Sequence, residues 1–506
     1  MAAMQFFASL VGENLILQTT LVLLVVFFVT VWFLSHVRSP KNLPPGPRGW
    51  PVAGNIFSFA TGHRALTMTE WAETYGPVYR IQLGNQTMVV LSGYDVIYEA
   101  LVKTAEDFSS RPVNAITSIV NPQRLGIITA PFGTAWKEHR KFTLMSLREF
   151  GFGKRSLEGK ILAESEALQA EILRMGGGPF DIGRMVQNAV TNVICSIVFG
   201  SRFDYNDDKF TRLMDALDRG FAFNFFGQLA VFFPILRHVP GMGRGPKLIQ
   251  DVLGVVRGYI KEEMDSHKET FDANDIRDLI DSYVRETKSH ENNGETTFTD
   301  EYTELVLFDM FIAGSETTST TLYWAFLYMI LNPDIQRKVQ AEIHAVLGHD
   351  QQPSTAHRAQ LPYTDAVLTE VARMGTILPT SVFHATSRDT SFHGYHIPEE
   401  TTVLPNLWSV HYDPEHFPNP ERFDPGRFLD AQGRYQRDDH VIPFGVGPRM
   451  CLGKQLAEME LFVFFTSLLQ HFTFKLPEGA TKPSITGIFG ITNSPKKFEM
   501  VAEPIA

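Results

Sequence analysis

The chain has 506 residues, of which 44% are hydrophobic and 20% are charged. These proportions indicate a large globular body with an extensive core and exclude a disordered or fibrous protein. Acidic residues outnumber basic ones by 56 to 45, and the net charge of −11 excludes nucleic acid as the main partner. Two cysteines, Cys195 and Cys451, are too few for a disulfide framework, so we expect the body to face a reducing compartment.

The first predicted element is an apolar helix over residues 15–34. A helix of this length can cross the ~30 Å hydrocarbon core of a bilayer. Positive charges follow the run, at Arg38, Lys41 and Arg48, and no small-x-small cleavage site follows it, which favours an anchor over a signal peptide or a buried helix. Since positive flanks prefer the cytosolic side, we expect residues 1–37 to be a single-pass anchor and the body to be cytosolic.

A basic, proline-rich linker over residues 38–55 then leads to the body, residues 56–506, which has no internal repeat and no second domain boundary. Most of the body has helical patterns. Two β-rich runs, residues 78–83 and 87–91, flank Gly84-Asn85 and predict a hairpin. The predicted class is therefore mainly α with small β-sheets (α+β), in one large domain.

The longest predicted helix extends from Glu301 to Leu331, after a polar loop. Thr299 or Asp300 is suited to cap it, and Pro333 ends it. Its length of roughly 30 residues exceeds that of most globular helices.

The interior of this helix contains the segment Ala313-Gly314-Ser315-Glu316-Thr317-Thr318. Glycine costs ~1 kcal/mol in a helix interior and the hydroxyls compete for carbonyls, so we expect a local distortion that could hold a small molecule such as water. An acid beside an alcohol is a suitable proton relay, which makes Glu316 and Thr317 the catalytic candidates. The alternative is a solvent-facing glutamate among core threonines.

The ten residues from Phe444 to Gly453 place Cys451 in a glycine-rich turn before an apolar helix. A thiolate that binds iron needs backbone N–H groups aimed at its sulfur, and Gly445, Gly447 and Gly453 let the chain bend closely enough to supply them. Arg449 adds a cation two residues away. The alternative for a lone cysteine is a buried, unreactive side chain.

The pattern Phe-x-x-Gly-x-Arg-x-Cys-x-Gly, present here in full, resembles the haem-binding signature of the cytochromes P-450. The helix motif at 313–318 resembles the oxygen-activation motif of the same family, which implies a groove for dioxygen and a relay through Glu316 and Thr317 of the two protons that dioxygen cleavage consumes. The resemblance spans essentially the whole chain and is closest to the family-2 clan of animal endoplasmic-reticulum enzymes.

The resemblance implies the cytochrome P-450 fold, haem b and a monooxygenase reaction on a steroid, fatty acid or xenobiotic. Electrons would come from NADPH through NADPH–cytochrome P-450 reductase, with cytochrome b5 as a further candidate partner. The implied location is the endoplasmic reticulum membrane, in contact with lipid. A haem-thiolate isomerase or dehydratase would need no proton relay, and a haem carrier or gas sensor would need neither relay nor reductase, so the intact Glu316-Thr317 pair argues against both.

The resemblance also assigns site residues. The implied axial iron ligand is Cys451, with Phe444, Gly445 and Gly453 around it. The implied partners of the haem propionates are Trp136, Arg140, Arg111, His384 and Arg449; for Arg111 and His384, surface placement is the alternative. The implied structural brace is Glu370 with Arg373 and Arg422. The implied substrate pocket is lined by Phe132, Phe308, Ala313, Phe383 and Phe489.

Two surfaces complete these expectations. Lys137, Lys141 and Lys454 are candidates to attract an acidic reductase, although Lys454 and Glu458 carry the reverse of the clan's usual charges at this i,i+4 pair. Six phenylalanines between residues 221 and 233 favour a lipophilic pocket roof, with membrane contact alone as the alternative.

Overall fold

The computed structural model describes residues 18–20, 22–30, 42–51, 53–60, 64–84, 86–114, 117–152, 155–221, 244–290 and 296–505. Of the apolar run at 15–34, residues 18–20 and 22–30 are helical with exposed side chains, and the rest lies outside the described residues. In the described part of the chain, no helix is long and apolar enough to cross a membrane. The phenylalanine-rich roof predicted after Phe221 lies outside the described residues.

Helices dominate the described body, as predicted. The α-helices are α1 (Ile56–Ala60), α2 (Arg64–Tyr75), α3 (Tyr94–Tyr98), α4 (Ala105–Phe108), α5 (Thr117–Val120), α6 (Thr134–Glu149), α7 (Arg155–Arg174), α8 (Ile182–Val198), α9 (Asp208–Phe221), α10 (Arg244–Glu269), α11 (Leu279–His290), α12 (Asp300–Leu331), α13 (Pro333–Leu347), α14 (Pro362–Gly375), α15 (Leu407–His411) and α16 (Lys454–His471). A π-helical turn spans Glu99–Lys103, and 3-10 turns span Thr355–Gln360 and Pro425–Phe428.

The strands form small sheets. They are β1 (Val78–Leu83), β2 (Gln86–Ser92), β3 (His384–Ala385), β4 (Thr390–Phe392), β5 (Tyr395–Ile397), β6 (Thr402–Asn406), β7 (Phe472–Lys475), β8 (Ile488–Phe489), β9 (Asn493–Ser494) and β10 (Val501–Pro504). The largest sheet has the order β1-β2-β6-β3, with β2 and β6 parallel and the other pairs antiparallel. The remaining pairs are β4 with β5, β7 with β10 and β8 with β9. The predicted hairpin is confirmed, because β1 and β2 pair from Val78 with Leu91 to Leu83 with Gln86.

Helix α12 forms the centre of the body and packs along α8, with further contacts to α10, α14 and α16. Its predicted limits are confirmed within one residue: the Thr299 hydroxyl caps it by accepting from the Tyr302 N–H at 3.2 Å, and Pro333 begins the next helix. Most of its side chains are buried, and the buried ones lie on every face of the helix. A helix that is apolar on every side needs neighbours on every side, and this explains its central position.

Candidate active site

A cavity of about 480 Å³ lies between α12 and the segment that leads into α16. The predicted thiolate turn contributes Phe444, Gly445, Cys451 and Gly453 to its lining. The predicted polar rim contributes Arg111, Arg140, His384 and Arg449. Helix α12 contributes Ala313 and Thr317. Residues that are far apart in the sequence therefore meet around one space.

The Cys451 turn closes through a hydrogen bond from the Cys451 N–H to the Phe444 carbonyl at 2.9 Å. Gly445 and Gly447 have φ of 70° and 79°, which favour glycine. A Cβ at Gly447 would also lie 1.9 Å from the Leu101 carbonyl oxygen, so no larger residue fits there. Gly453 differs: its φ of −84° suits any residue, and it serves as the N-cap of α16.

Cys451 lines the cavity, and the surroundings of its thiol act in opposite directions on its pKa. Burial raises the pKa, while the Gly453 N–H and the charges of Arg140 and Lys454 lower it. The cation expected from Arg449 is directed elsewhere, because its guanidinium binds the carbonyls of Ser109, Ile127 and Ala130 at 2.6–3.1 Å. The positive charges beside the thiol therefore come from Arg140 on α6 and Lys454 on α16, and not from Arg449, which is close in sequence.

Three arginines crowd one side of the cavity. Arg111 donates to the carbonyls of Ile128, Val382 and Phe383 at 2.8–3.0 Å, and Arg140 donates to the Met450 carbonyl at 2.5 Å. Burial lowers the pKa of Arg449, and the charges of Arg111 and Arg140 lower it further. Neutral carbonyls satisfy the N–H groups but do not balance the charge. This excess of positive charge fits a dianionic ligand such as the two propionates of a haem.

Trp136 stabilises this group from outside the cavity lining. Its ring lies 3.9 Å from the Arg449 guanidinium carbon and 5.5 Å from that of Arg140, and its indole N–H donates to the Ile127 carbonyl at 3.0 Å. His384 lies in the lining and is bonded through Nδ1 to the Phe108 carbonyl at 2.8 Å. Burial, followed by the charge of Arg111, lowers its pKa and keeps the ring neutral.

The α12 motif lies within one uninterrupted helix, so the predicted local distortion does not break the helix. The hydroxyls of Ser315, Thr317 and Ser319 each donate to the carbonyl four residues earlier at 2.7–2.8 Å, which satisfies them within an intact helix. Packing explains why a glycine occupies position 314. A Cβ at Gly314 would lie 2.5 Å from the Ile194 side chain, so Gly314 permits the close packing of α8 on α12.

The two members of the predicted relay face different surroundings. Thr317 lines the cavity, whereas the Glu316 carboxylate accepts from the Thr320 and Thr492 hydroxyls at 3.2 and 3.3 Å and from the Gln187 amide at 3.4 Å. Burial raises the pKa of Glu316 to about 7. Glu316 can therefore exchange protons near neutral pH, but it lies outside the cavity lining that contains Thr317.

Two acids in the cavity lining were missed by the sequence interpretation. Asp309 accepts the N–H groups of Ile127 and Ile128 at 2.7 and 2.9 Å, and burial raises its pKa to about 7. Glu460 is 2% exposed, and burial raises its pKa to about 8. The available signal for Asp309 was a single acid within an apolar helical run, whereas Glu460 follows Glu458 at the start of such a run.

The predicted Glu370–Arg373 pair is fully buried, with two hydrogen bonds of 2.6 and 2.8 Å. The prediction that Arg422 completes this brace is wrong, because its side chain is 74% exposed and lies 4.0 Å from Asp424. Arg427 takes that position, 3.4 Å from Glu370 and 13% exposed. The sequence contains Pro-x-Arg-Phe twice, at 420–423 and 425–428, and only the second copy forms the 3-10 turn that aims its arginine inward.

Of the predicted substrate-pocket residues, Ala313 lines the cavity. Phe308 is buried in the main core, and Phe383 and Phe489 pack on a smaller core beside the large sheet. Phe132 lies outside this lining and packs against Trp136, with ring centroids 5.4 Å apart.

A shallow depression borders this ring and is lined by Phe132, Lys137, Arg140, Lys141 and Arg148 among others. The Lys137 ammonium lies 4.6 Å from the Phe132 ring centroid. Lys454 and Glu458 form their i,i+4 ion pair at 3.8 Å despite the reversed charges. Two of the three predicted docking lysines thus share one basic surface.

Comparison with known proteins agrees with this geometry. The family model described as Cytochrome P450 matches residues 44–502. Cytochrome P450 2U1 of Rattus norvegicus is 39% identical over 492 residues, covering 93% of this chain and 92% of that protein. Cytochrome P450 2J2 of Homo sapiens is 40% identical over 507 residues, covering 100% and 99%. Cytochrome P450 2D6 of Homo sapiens is 39% identical over 494 residues, covering 96% and 98%.

Proposed function

The chain belongs to the cytochrome P450 family, as a member of its family 2, and on that premise we propose that it inserts one atom of dioxygen into a lipophilic substrate. The observation that carries the proposal is that Cys451 and Thr317 line one cavity, beside three arginines. When bound, haem b would supply the activation of dioxygen, a chemistry that a thiolate such as that of Cys451 favours.

Residues of this chain would hold the haem through two kinds of contact. Cys451 supplies the thiolate, stabilised by the Gly453 N–H and by Arg140. Arg111, Arg140 and Arg449 supply the positive charge that two propionates balance, with Trp136 and His384 fixing the geometry of the group. Replacing Cys451 by serine should remove the red-shifted Soret band of the reduced carbon monoxide complex, which depends on a thiolate ligand. An unchanged band in that variant would refute this assignment.

Thr317 and Glu316 divide the proton transfer between them in this proposal. Thr317 offers a hydroxyl to the cavity, and a rotation about χ1 would free it from the Ala313 carbonyl, which it now binds at 2.8 Å. Glu316, with its pKa raised to about 7, can take protons from the surface side. Because the two side chains face apart, a water or a small helix movement has to connect them.

The variant Thr317→Val tests this role. It keeps the side-chain shape and removes the hydroxyl, so product formed per NADPH consumed should fall by about tenfold or more. Thr303→Val is the matched control, because Thr303 makes the same type of bond, to the Thr299 carbonyl at 2.9 Å, near the start of α12. Full coupling in Thr317→Val, or an equal loss in Thr303→Val, would contradict the assignment.

The alternative functions make a different prediction. A haem-thiolate isomerase or dehydratase, or a haem carrier or gas sensor, requires no net electron input. Oxidation of a lipophilic compound that depends on NADPH, a reductase and this protein together therefore distinguishes the monooxygenase from all of them. Absence of such oxidation across steroids, fatty acids and foreign compounds would favour an alternative.

An acidic reductase is the proposed electron donor, with cytochrome b5 as a second candidate. The support is the basic depression that contains Lys137 and Lys141, which lies near Arg140 and hence near the Cys451 turn. Lys137→Glu and Lys141→Glu should each raise the KM for reductase several-fold, mainly at low salt. Lys482→Glu, the same charge change outside the depression, is the control.

The membrane location is part of the same proposal. The apolar run at 15–34 and the positive charges after it support a single-pass anchor in the endoplasmic reticulum with the body in the cytosol. For the substrate, apolar side chains such as Ile194, Met310 and Val382 in the cavity lining support a lipophilic molecule. Ala313 is the proposed point where a larger side chain would block access.

A further inference from the structure

Two clusters of potential metal ligands occur in the described part of the chain, and they differ in how their charge is balanced. In the buried cluster, His267, Asp278 and Asp281, the guanidinium of Arg277 binds both oxygens of Asp281 at 2.6 and 2.8 Å. That cluster is a satisfied ion pair without access for a cation. The second cluster, His416, Asp438 and His440, is partly exposed and has no such arginine.

The second cluster is arranged around one carboxylate. Asp438 Oδ2 lies 2.7 Å from His416 Nε2, and Oδ1 lies 3.3 Å from His440 Nδ1. The backbone N–H of His440 donates to Asp438 Oδ1 at 2.8 Å, which fixes the carboxylate in place. The two imidazole rings stack with centroids 3.6 Å apart. The three ligand atoms, one from each side chain, all lie within 4.8 Å of one another.

The ligand set suits a divalent cation, which would bind two imidazole nitrogens and one carboxylate. The nearest arginine in sequence, Arg437, is 70% exposed and pairs with Asp439 at 3.5 Å. The Tyr94 ring packs against His440, with ring centroids 4.1 Å apart.

We propose that His416, Asp438 and His440 bind one Zn²⁺ or a similar divalent cation, with water completing the coordination. Zinc bonds of about 2.0–2.2 Å place tetrahedral ligand atoms about 3.3 Å apart, and the two imidazole nitrogens lie 2.7 and 3.3 Å from the carboxylate oxygens. Side-chain exposures of 27–32% leave room for the water ligand. Two imidazoles and a carboxylate suit zinc and exclude Mg²⁺, which prefers oxygen ligands.

The site would join two segments of the chain. His416 follows α15 and precedes Phe417, which is 2% exposed and anchors it in the core. His440 stands four residues before Phe444, where the Cys451 turn begins. A bound cation would therefore brace the approach to the thiolate turn without taking part in the oxygenation itself.

Equilibrium dialysis of the haem-loaded, full-length protein against buffered Zn²⁺ tests the site. The wild type should bind one zinc more per chain than His416→Gln or Asp438→Asn, whose affinity at this site should be at least about tenfold lower. His290→Gln is the matched control: His290 is also 32% exposed and lies 3.2 Å from a single carboxylate, Glu286. The control should bind zinc like the wild type, and excess Mg²⁺ should not compete.

A second measurement needs no variant. Zn²⁺ should protect His416 and His440 of the wild type from diethylpyrocarbonate, scored by mass spectrometry, and leave His290 reactive. Equal zinc binding by the wild type and both variants, no zinc binding by the wild type, or equal labelling of all three histidines with and without Zn²⁺ would overturn the proposal. None of these results depends on catalytic turnover, so they leave the monooxygenase proposal to its own tests.

Discussion

Removal of Arg427 tests the corrected brace on Glu370. The Arg427 guanidinium lies 3.4 Å from Glu370 and donates to the carbonyls of Pro418 and Asn419 at 2.7 and 2.9 Å. Glu370 would keep Arg373, so the loss in Arg427→Ala is smaller than that for a buried charge left alone. The loss of three hydrogen bonds from a mostly buried side chain corresponds to about 2–3 kcal/mol of native-state stability.

The matched control is Arg422→Ala, which removes the same residue type from the other Pro-x-Arg-Phe copy. Arg422 is 74% exposed and 4.0 Å from an exposed aspartate, so its loss should change stability by no more than about 0.5 kcal/mol. Arg427→Lys should be intermediate, because lysine keeps the charge but cannot reach the carboxylate and both carbonyls together.

The assay is the half-life of the Soret band of the haem-loaded protein at a fixed elevated temperature, since a bound cofactor makes a two-state unfolding free energy ill-defined. If the brace is absent from the unfolding transition state, a loss of 2–3 kcal/mol shortens the half-life of Arg427→Ala by about one to two orders of magnitude. A half-life of Arg422→Ala as short as that of Arg427→Ala, or an unchanged Arg427→Ala, would refute the reasoning.

Two further predictions concern the cavity. Gly447→Ala should prevent assembly of the thiolate site, because its Cβ would lie 1.9 Å from the Leu101 carbonyl oxygen at a φ of 79°. Gly445→Ala is the control: its Cβ would meet only Ser381 Oγ, at 4.0 Å, so this variant should lose only ~1–2 kcal/mol of stability. Equal carbon monoxide difference spectra of the two variants would contradict this prediction. Burial raises the pKa of Glu460 from 4.5 to about 8, so between these pH values the unfolded chain has lost a proton that the native state keeps, and native stability falls as pH rises. Glu460→Gln should remove up to about 5 kcal/mol of that decrease, measured as the pH dependence of thermal inactivation, and a slope equal to the wild-type slope would argue against a neutral Glu460.

The amino-acid sequence by itself determined the features that depend on neighbouring residues. The hairpin at 78–92, the limits of α12 and the glycine turn around Cys451 follow from turn chemistry, capping and backbone angles, which act over a few residues. The family also followed from the sequence, because the Cys451 motif combines several fixed residues in one short segment.

Only the tertiary structure decided which side chains meet across the fold. Two copies of Pro-x-Arg-Phe are locally equivalent, and the packing of a 3-10 turn on α14 selects Arg427 over Arg422. Adjacent positions on α12 separate Glu316 from Thr317, since successive residues of a helix point about 100° apart. The same holds for His416 and Asp438, which lie 22 residues apart in sequence. Such contacts are fixed by the packing of whole elements, whose combined energy no short window of sequence contains.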